Sequence, residues 1–263
     1  MAIRLDFIIT ADESGALPPF TGEYVRSWFL STVKIHNAEL FRFLHDCSGP
    51  KPYAIRPLRP IRKGMSVIGG YWRVYEGDKL TFSISVLRDD IKNNVLEAIS
   101  DNENVKFGTI LCQLNQIKEH ELRYDEPLEK LGHRIGLIFR TPTFFNIRGR
   151  AFPFLYPDPI RVLSNLSTIW NAFAPRELKI DQRQFIAWVS KSIMVKSHRL
   201  FTREVEIKNI KLTGFKGRVE WIIIDNAMEG IVTNLLKYAE FSNVGEKRTY
   251  GLGVVNYYQL DKT

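Results

Sequence analysis

The chain has 263 residues, 44% of them hydrophobic, enough to bury one large core or two ordinary ones without disulfide support. Its 37 Lys and Arg outnumber its 29 Asp and Glu, and the resulting formal charge of +8 suits a polyanionic partner through counterion release. Two isolated cysteines, Cys47 and Cys112, argue against a disulfide framework or a zinc site; Arg4 and Asp6 interrupt what would be the apolar core of a signal segment, and no run reaches membrane-spanning length. The expectation is a cytoplasmic protein with no membrane contact, no metal and no cofactor.

Ile3, Leu5, Phe7 and Ile9 alternate with more polar neighbours and predict an opening strand. After Pro18 and Pro19, Thr21 is placed to cap a helix bearing Val25, Phe29 and Val33, and Asn37 to cap a second one bearing Leu40, Phe41 and Leu44. Extended segments follow at Tyr53 to Pro57, Tyr71 to Tyr75 and Lys79 to Leu87, with Gly77-Asp78 as a hairpin turn. Asp89 or Asp90 opens a helix with Ile91, Val95 and Ile99 inward, and Val105 to Leu122 reads as one long strand. The order is strand, helix, strand, strand, helix, strand.

The second half runs in the same order: a strand at His133 to Arg140, a helix at Pro157 to Phe173, a further helix at Gln182 to Val189, and strands at Val195 to Val205 and Gly217 to Ile224 joined by a loop containing Gly214. Asn226 opens a helix through Ala239, and Val254 to Gln259 closes the half. This predicts an α+β chain of two tandem ferredoxin-like (βαββαβ, RRM-like) domains, residues 1–127 and 128–263, although the halves share no obvious sequence repeat.

Basic residues concentrate in two places besides the C-terminal loop. Arg56, Arg59, Arg62 and Lys63 follow Lys51 in a Pro-broken stretch, and Arg140, Arg148 and Arg150 interleave with Phe139, Phe144 and Phe145. His198 and Arg199 form a further candidate RNA contact, against the alternative of solvated strand residues. Near the end, Asn243-Val244-Gly245-Glu246-Lys247-Arg248-Thr249-Tyr250-Gly251-Leu252-Gly253 sets glycines around cations. Backbone N–H groups of such a loop can approach phosphate oxygens while Lys247 and Arg248 neutralise charge, or the loop can be only a helix cap and tight turn.

Placed at the C-terminus of tandem ferredoxin-like halves, this Gly-x-x-Arg-x-x-Gly-x-Gly loop resembles that of the CRISPR-associated repeat-RNA processing endoribonucleases. Leu44-His45-Asp46-Cys47-Ser48-Gly49-Pro50-Lys51 is similar to their segment carrying a histidine and then a lysine, and Ile138 to Phe144 to the strand that opens their second half. The resemblance implies a RAMP-superfamily hydrolase of antiviral defence that cuts CRISPR precursor RNA within repeats, without metal, by attack of a ribose 2′-OH on the adjacent phosphate. It makes His45 the general acid or base and Lys51 the cation that stabilises the transition state, with Gly245, Lys247, Arg248, Gly251 and Gly253 holding RNA. Some relatives add a tyrosine on the first helix; the matching position is Leu30, so Tyr24 and Tyr53 are the candidate substitutes. The alternatives are a repeat-binding paralogue without activity and a structural subunit of a CRISPR interference complex; the sequence leaves a homodimer open.

Overall fold

Alternation decides the first element: Ile3, Leu5, Phe7 and Ile9 are buried while Arg4, Asp6 and Ile8 are only partly covered, so β1 (Ala2–Ala11) closes one face. The computed structural model describes residues 1–61, 64–102, 105–125 and 133–260. Contacts divide the chain into an N-terminal unit, Ala2–Glu121 with Thr249–Gly251, and a C-terminal unit, Leu122–Arg248 and Leu252–Thr263 with Met1. The expected boundary between residues 127 and 128 lies outside the described residues, as do Arg62 and Lys63 of the first basic stretch.

In the N-terminal unit β1 is followed by β2 (Gly15–Leu17), α1 (Gly22–His36), α2 (Ala38–Asp46), β3 (Tyr53–Pro60), β4 (Ser66–Ile68), β5 (Tyr71–Val74), β6 (Lys79–Val86), α3 (Lys92–Ser100), β7 (Val105–Phe107) and β8 (Ile110–Leu122). The main sheet runs β3-β6-β1-β8-β7, and its first four strands have the order of a ferredoxin-like unit. Phe7 and Phe82 face each other in register and stack at 4.5 Å, and Trp28 of α1 meets both rings edge-on at 5.5 and 5.3 Å. That aromatic knot fixes helix against sheet.

Three local expectations change here. Thr21 does precede α1, but its hydroxyl donates to the Leu58 carbonyl and makes no cap bond, whereas the Asn37 side chain caps α2 by accepting from the N–H groups of Glu39 and Leu40. Gly77-Asp78 joins two sheets and closes no hairpin, because β5 pairs with β2 and β4 in a separate three-stranded sheet while β6 pairs with β1 and β3. Val105 to Leu122 is two strands: Gly108, at φ +62, turns the chain so that β7 folds back on β8.

The C-terminal unit contains β9 (Arg134–Thr143), α4 (Pro159–Phe173), α5 (Gln182–Ser192), β10 (Ile193–Ile207), β11 (Ile210–Ile223), α6 (Glu229–Ser242) and β12 (Val255–Gln259). Its sheet order, β10-β11-β9-β12, is ferredoxin-like again, so the chain is the tandem α+β protein that its sequence predicts. Asp158 caps α4, with Pro159 preset for its first turn. Leu137, Phe139, Val219 and Trp221 are buried on one sheet face, as are Leu166 and Trp170 on α4 and Leu235 on α6.

Gly214 lies inside β11, not in the turn, because a Cβ there would stand 2.6 Å from the Thr143 nitrogen. Lys208 and Asn209, at φ +51 and +61, make the two-residue turn instead. Helix α6 starts at Glu229, one turn later than Asn226, since the Asp225 carboxylate accepts the Ala227 N–H and holds the chain in a turn first. Among the described residues no helix is long and apolar enough to cross a membrane.

Asp6 accepts from Arg4 Nε at 3.0 Å and pairs with His120 at 3.0 Å. Burial pushes its carboxyl up, but a hydrogen bond from Ser83 and the charges of Arg4 and His120 hold it below the ordinary carboxylate range. A carboxyl so depressed contributes stability above its unfolded pKa of about 3.9 and loses it as pH falls through the lower folded value. Urea titrations of wild type and Asp6→Asn should therefore differ most at neutral pH and converge under acid; a constant difference from pH 7 to pH 2 would contradict this.

Candidate functional site

The end of α2 joins two of the expected residues. His45 lies in its last turn, with Nδ1 2.7 Å from Asp46 Oδ1. Its ring stacks on Phe41 at 5.6 Å and remains 48% exposed. With Asp46 accepting the Nδ1 proton, Nε2 is the nitrogen left to exchange a proton with a ligand. Lys51 donates from Nζ to the carbonyls of His45 and Cys47, both at 2.7 Å. Those carbonyls lack intrahelical partners, so Lys51 closes the helix end and fixes the backbone that carries His45.

The tyrosine candidates lie elsewhere. Tyr24 packs against the core beside Gly108, and Leu30 is itself a core residue, 5% exposed. Tyr53 is fully buried, its ring 5.2 Å from Phe29, and burial pushes its hydroxyl pKa up. None of the three shares a hydrogen bond or ring contact with His45 among the described residues.

The glycine-rich loop is built by backbone crowding. A Cβ on Gly253 would stand 1.7 Å from the Val244 carbonyl oxygen and one on Gly245 2.5 Å from that of Phe144, and both residues have positive φ. The amides of this loop mostly serve the fold: Val244 donates to Gly253, Gly245 to Asn165 Oδ1, Glu246 to Phe144 and Gly253 to Pro142. Arg248 is 7% exposed and its Nη1 donates to the Ser242 carbonyl at 2.7 Å, while Lys247 is exposed. Gly251 lies with Thr249 and Tyr250 in the N-terminal unit, where its missing Cβ leaves room for Pro57.

Positive charge gathers on the outer face of the C-terminal sheet. Arg199 stands opposite Arg218, and Phe201 opposite Lys216. Period two puts Arg199, Phe201 and Arg203 on one face with Lys216, Arg218 and Arg140, and turns His198 to the other, where it meets Tyr156 edge-on at 5.4 Å. Like charges directly opposite destabilise a strand pair, a cost that an anion would relieve. Half-burial, then the fields of Arg203 and Arg140, hold the Lys216 ammonium below the usual lysine range. Beside it a groove of about 450 Å³ is lined by Ile138, His198, Arg199, Phe201, Arg218 and Glu220, so His198 borders the groove even though its ring meets Tyr156. Phe201 is 54% exposed. Arg148 and Arg150 are exposed on a turn centred on Gly149 at φ +81. Among the described residues no cluster of three or more His, Cys, Asp or Glu is placed to hold a metal.

Residues 137–255, which contain this face and the glycine-rich loop, match the family model for CRISPR-associated endoribonuclease Cas6. That likeness lies in the second half and spans a little under half of the chain. Its fold is similar to Thermus thermophilus Cas6 (TTHB231) in a product complex, with a TM-score of 0.79 and 19% identity over 98% of this chain and 100% of that one. It is also similar to Cas6 (TTHA0078) in a product complex, at a TM-score of 0.70 and 20% identity over 98% and 100% of the two chains. A Cas6-related protein from Pyrococcus furiosus has a TM-score of 0.69 and 12% identity over 99% and 100%. No curated protein matches the sequence.

The sequence alone does not single out Asp46, Phe201, Arg203, Lys216 and Arg218. The signal was present in the spacing of residues 199, 201 and 203, which strand periodicity places on one face, while adjacency drew attention to His198. Arg248→Ala should destabilise the protein by about 2–4 kcal/mol, because it leaves a buried carbonyl without its charged donor, while Lys247→Ala should stay within about 0.5 kcal/mol of wild type. Chemical denaturation measures both, and equal stabilities for the two variants would show that the Arg248 contact carries no energy.

Proposed function

We propose that the chain cuts CRISPR precursor RNA within its repeats without a metal, by attack of a ribose 2′-OH on the adjacent phosphate. The observation that carries this reading is the His45–Asp46 pair on a helix end closed by Lys51, in a chain whose residues 137–255 match the Cas6 family model. In the step, the 2′-oxygen loses its proton and bonds to phosphorus, the bond to the 5′-oxygen breaks, and that oxygen takes a proton, leaving a cyclic phosphate and a 5′-hydroxyl. His45 Nε2 moves one of these protons, with Asp46 stabilising the imidazolium, and Lys51 is the nearby cation. The basic face bearing Arg140, Arg199, Arg203, Lys216 and Arg218 supplies affinity for the RNA backbone, and Phe201 offers a surface on which a base can stack. Two neighbours of similar fold are themselves in substrate-mimic or product complexes, which supports repeat RNA as the ligand.

A second reading, repeat binding without scission, draws on one observation: Leu30 is in the core and neither Tyr24 nor Tyr53 meets His45, so the second proton has no evident carrier. Incubation with repeat RNA in EDTA separates the two. Cleavage should occur in the chelator, should be abolished by a 2′-deoxy nucleotide at the cut site, and should fall at least about 100-fold in His45→Ala while repeat affinity changes little. Tight binding with intact RNA would establish the binding-only reading, and cleavage that needs added metal would remove the proposed chemistry.

A further inference from the structure

Arg26 of α1 has no acid partner among the described residues. It sets its guanidinium carbon 4.7 Å from the centre of the Tyr250 ring. The group is partly buried, and its Nε is fully shielded from solvent without a hydrogen-bond partner. The Tyr53 hydroxyl is likewise buried without a well-formed hydrogen bond, and it faces Arg26 and the Thr249 side chain. A guanidinium nitrogen shielded from water and left without an acceptor is costly, and the unpartnered Arg26 Nε marks where an oxyanion would be accepted.

The surroundings hold this arrangement by main chain, not by side-chain packing alone. A Cβ on Gly22, the first residue of α1, would stand 1.8 Å from the Tyr250 carbonyl oxygen, and one on Gly251 would stand 2.6 Å from the Pro57 ring. Tyr250 is therefore set closely beside the first turn of α1, and its ring carries Arg26 by a cation–π contact. A planar cation fixed before its ligand arrives binds a phosphodiester with little loss of side-chain freedom.

We propose that Arg26, with the Thr249 hydroxyl beside it and Tyr250 and Tyr53 as positioning residues, forms a subsite for one phosphodiester group of single-stranded RNA. The proposal rests on the RNA-processing reading for its ligand, but assigns no part of the proton transfer to Arg26. It gives the tip of the glycine-rich loop a task other than direct phosphate binding by its amides: it presents a cation from α1.

The test measures equilibrium binding of two probes, a short oligouridylate and a repeat RNA blocked at the cut site by 2′-deoxy substitution, to wild type, Arg26→Lys and Arg26→Ala, with circular dichroism to confirm folding. Arg26→Lys keeps the charge and loses the planar fork, so it guards against misfolding of the alanine variant. Both variants should bind about 10–100-fold more weakly than wild type, the range expected for a lost charged hydrogen bond. A scan with single neutral methylphosphonates should then find one linkage whose neutralisation weakens wild type about tenfold and the Arg26 variants hardly at all, as coupled partners require. Arg26-dependent binding of oligouridylate by a protein that cuts no repeat would keep the subsite and remove the processing reading. Equal methylphosphonate penalties in wild type and folded variants, or no RNA binding by wild type, would overturn the proposal.

Discussion

At Gly253 a carbonyl oxygen occupies the space in which every other amino acid would carry a side chain. The Val244 oxygen stands 1.7 Å from the place of a Cβ there, and the Val244 amide returns a hydrogen bond to the Gly253 carbonyl. That mutual closeness fixes the two ends of a loop whose middle can then have only one path. Along it, Arg248 turns inward to the Ser242 carbonyl, and residues 249–251 take their place with α1 and β3. The loop is rich in glycine because its main chain is crowded, and its amides are largely committed to the protein's own carbonyls.

The opposite condition holds on the outer face of the C-terminal sheet, where the fold leaves demands unmet. Arg199 and Arg218 are forced into opposition by strand register, and Lys216 is pressed between the fields of two arginines. Such a face raises the energy of the free protein and lowers it again when an anion arrives, so part of the affinity comes from relief of repulsion as well as from new contacts. A solvated charged surface with interspersed acids would bind the same anion less well. Glu220, the acid on this groove, is already engaged by Arg134 at 3.2 Å.

The architecture was legible because both halves spell it by periodicity: Ile3 to Ile9 alternate, and α4 carries Leu163, Leu166, Ile169 and Trp170 on one side. What was not legible depended on partners distant in sequence. Gly77-Asp78 reads as a hairpin turn locally, and only the pairing of β5 with β2 and β4 places it between sheets. Gly214 reads as a turn until the Thr143 backbone shows why a strand needs glycine there. At the site, His45 and Lys51 are candidates only through the likeness of the Leu44 to Lys51 segment to that of a known family, and the bond from Lys51 to the helix carbonyls was not legible, because any lysine in a loop looks solvated in sequence. Arg248 looked like a cation for RNA for the same reason: sequence shows charge and conceals burial.

The β10–β11 hairpin outruns its own sheet. Pairing of β11 with β9 ends at Phe215 and Thr143, yet the two strands stay paired with each other to Ile207 and Ile210, where Lys208 and Asn209 turn the chain. A ribbon of two strands coils more strongly than a sheet of four. Side chains that share a face at its root therefore rotate out of line with those near its tip, and Arg199 and Val205, on one face by period two, look in different directions along one arm. A flat ligand could meet one end or the other, whereas a wound one, turning at a similar rate, could meet both.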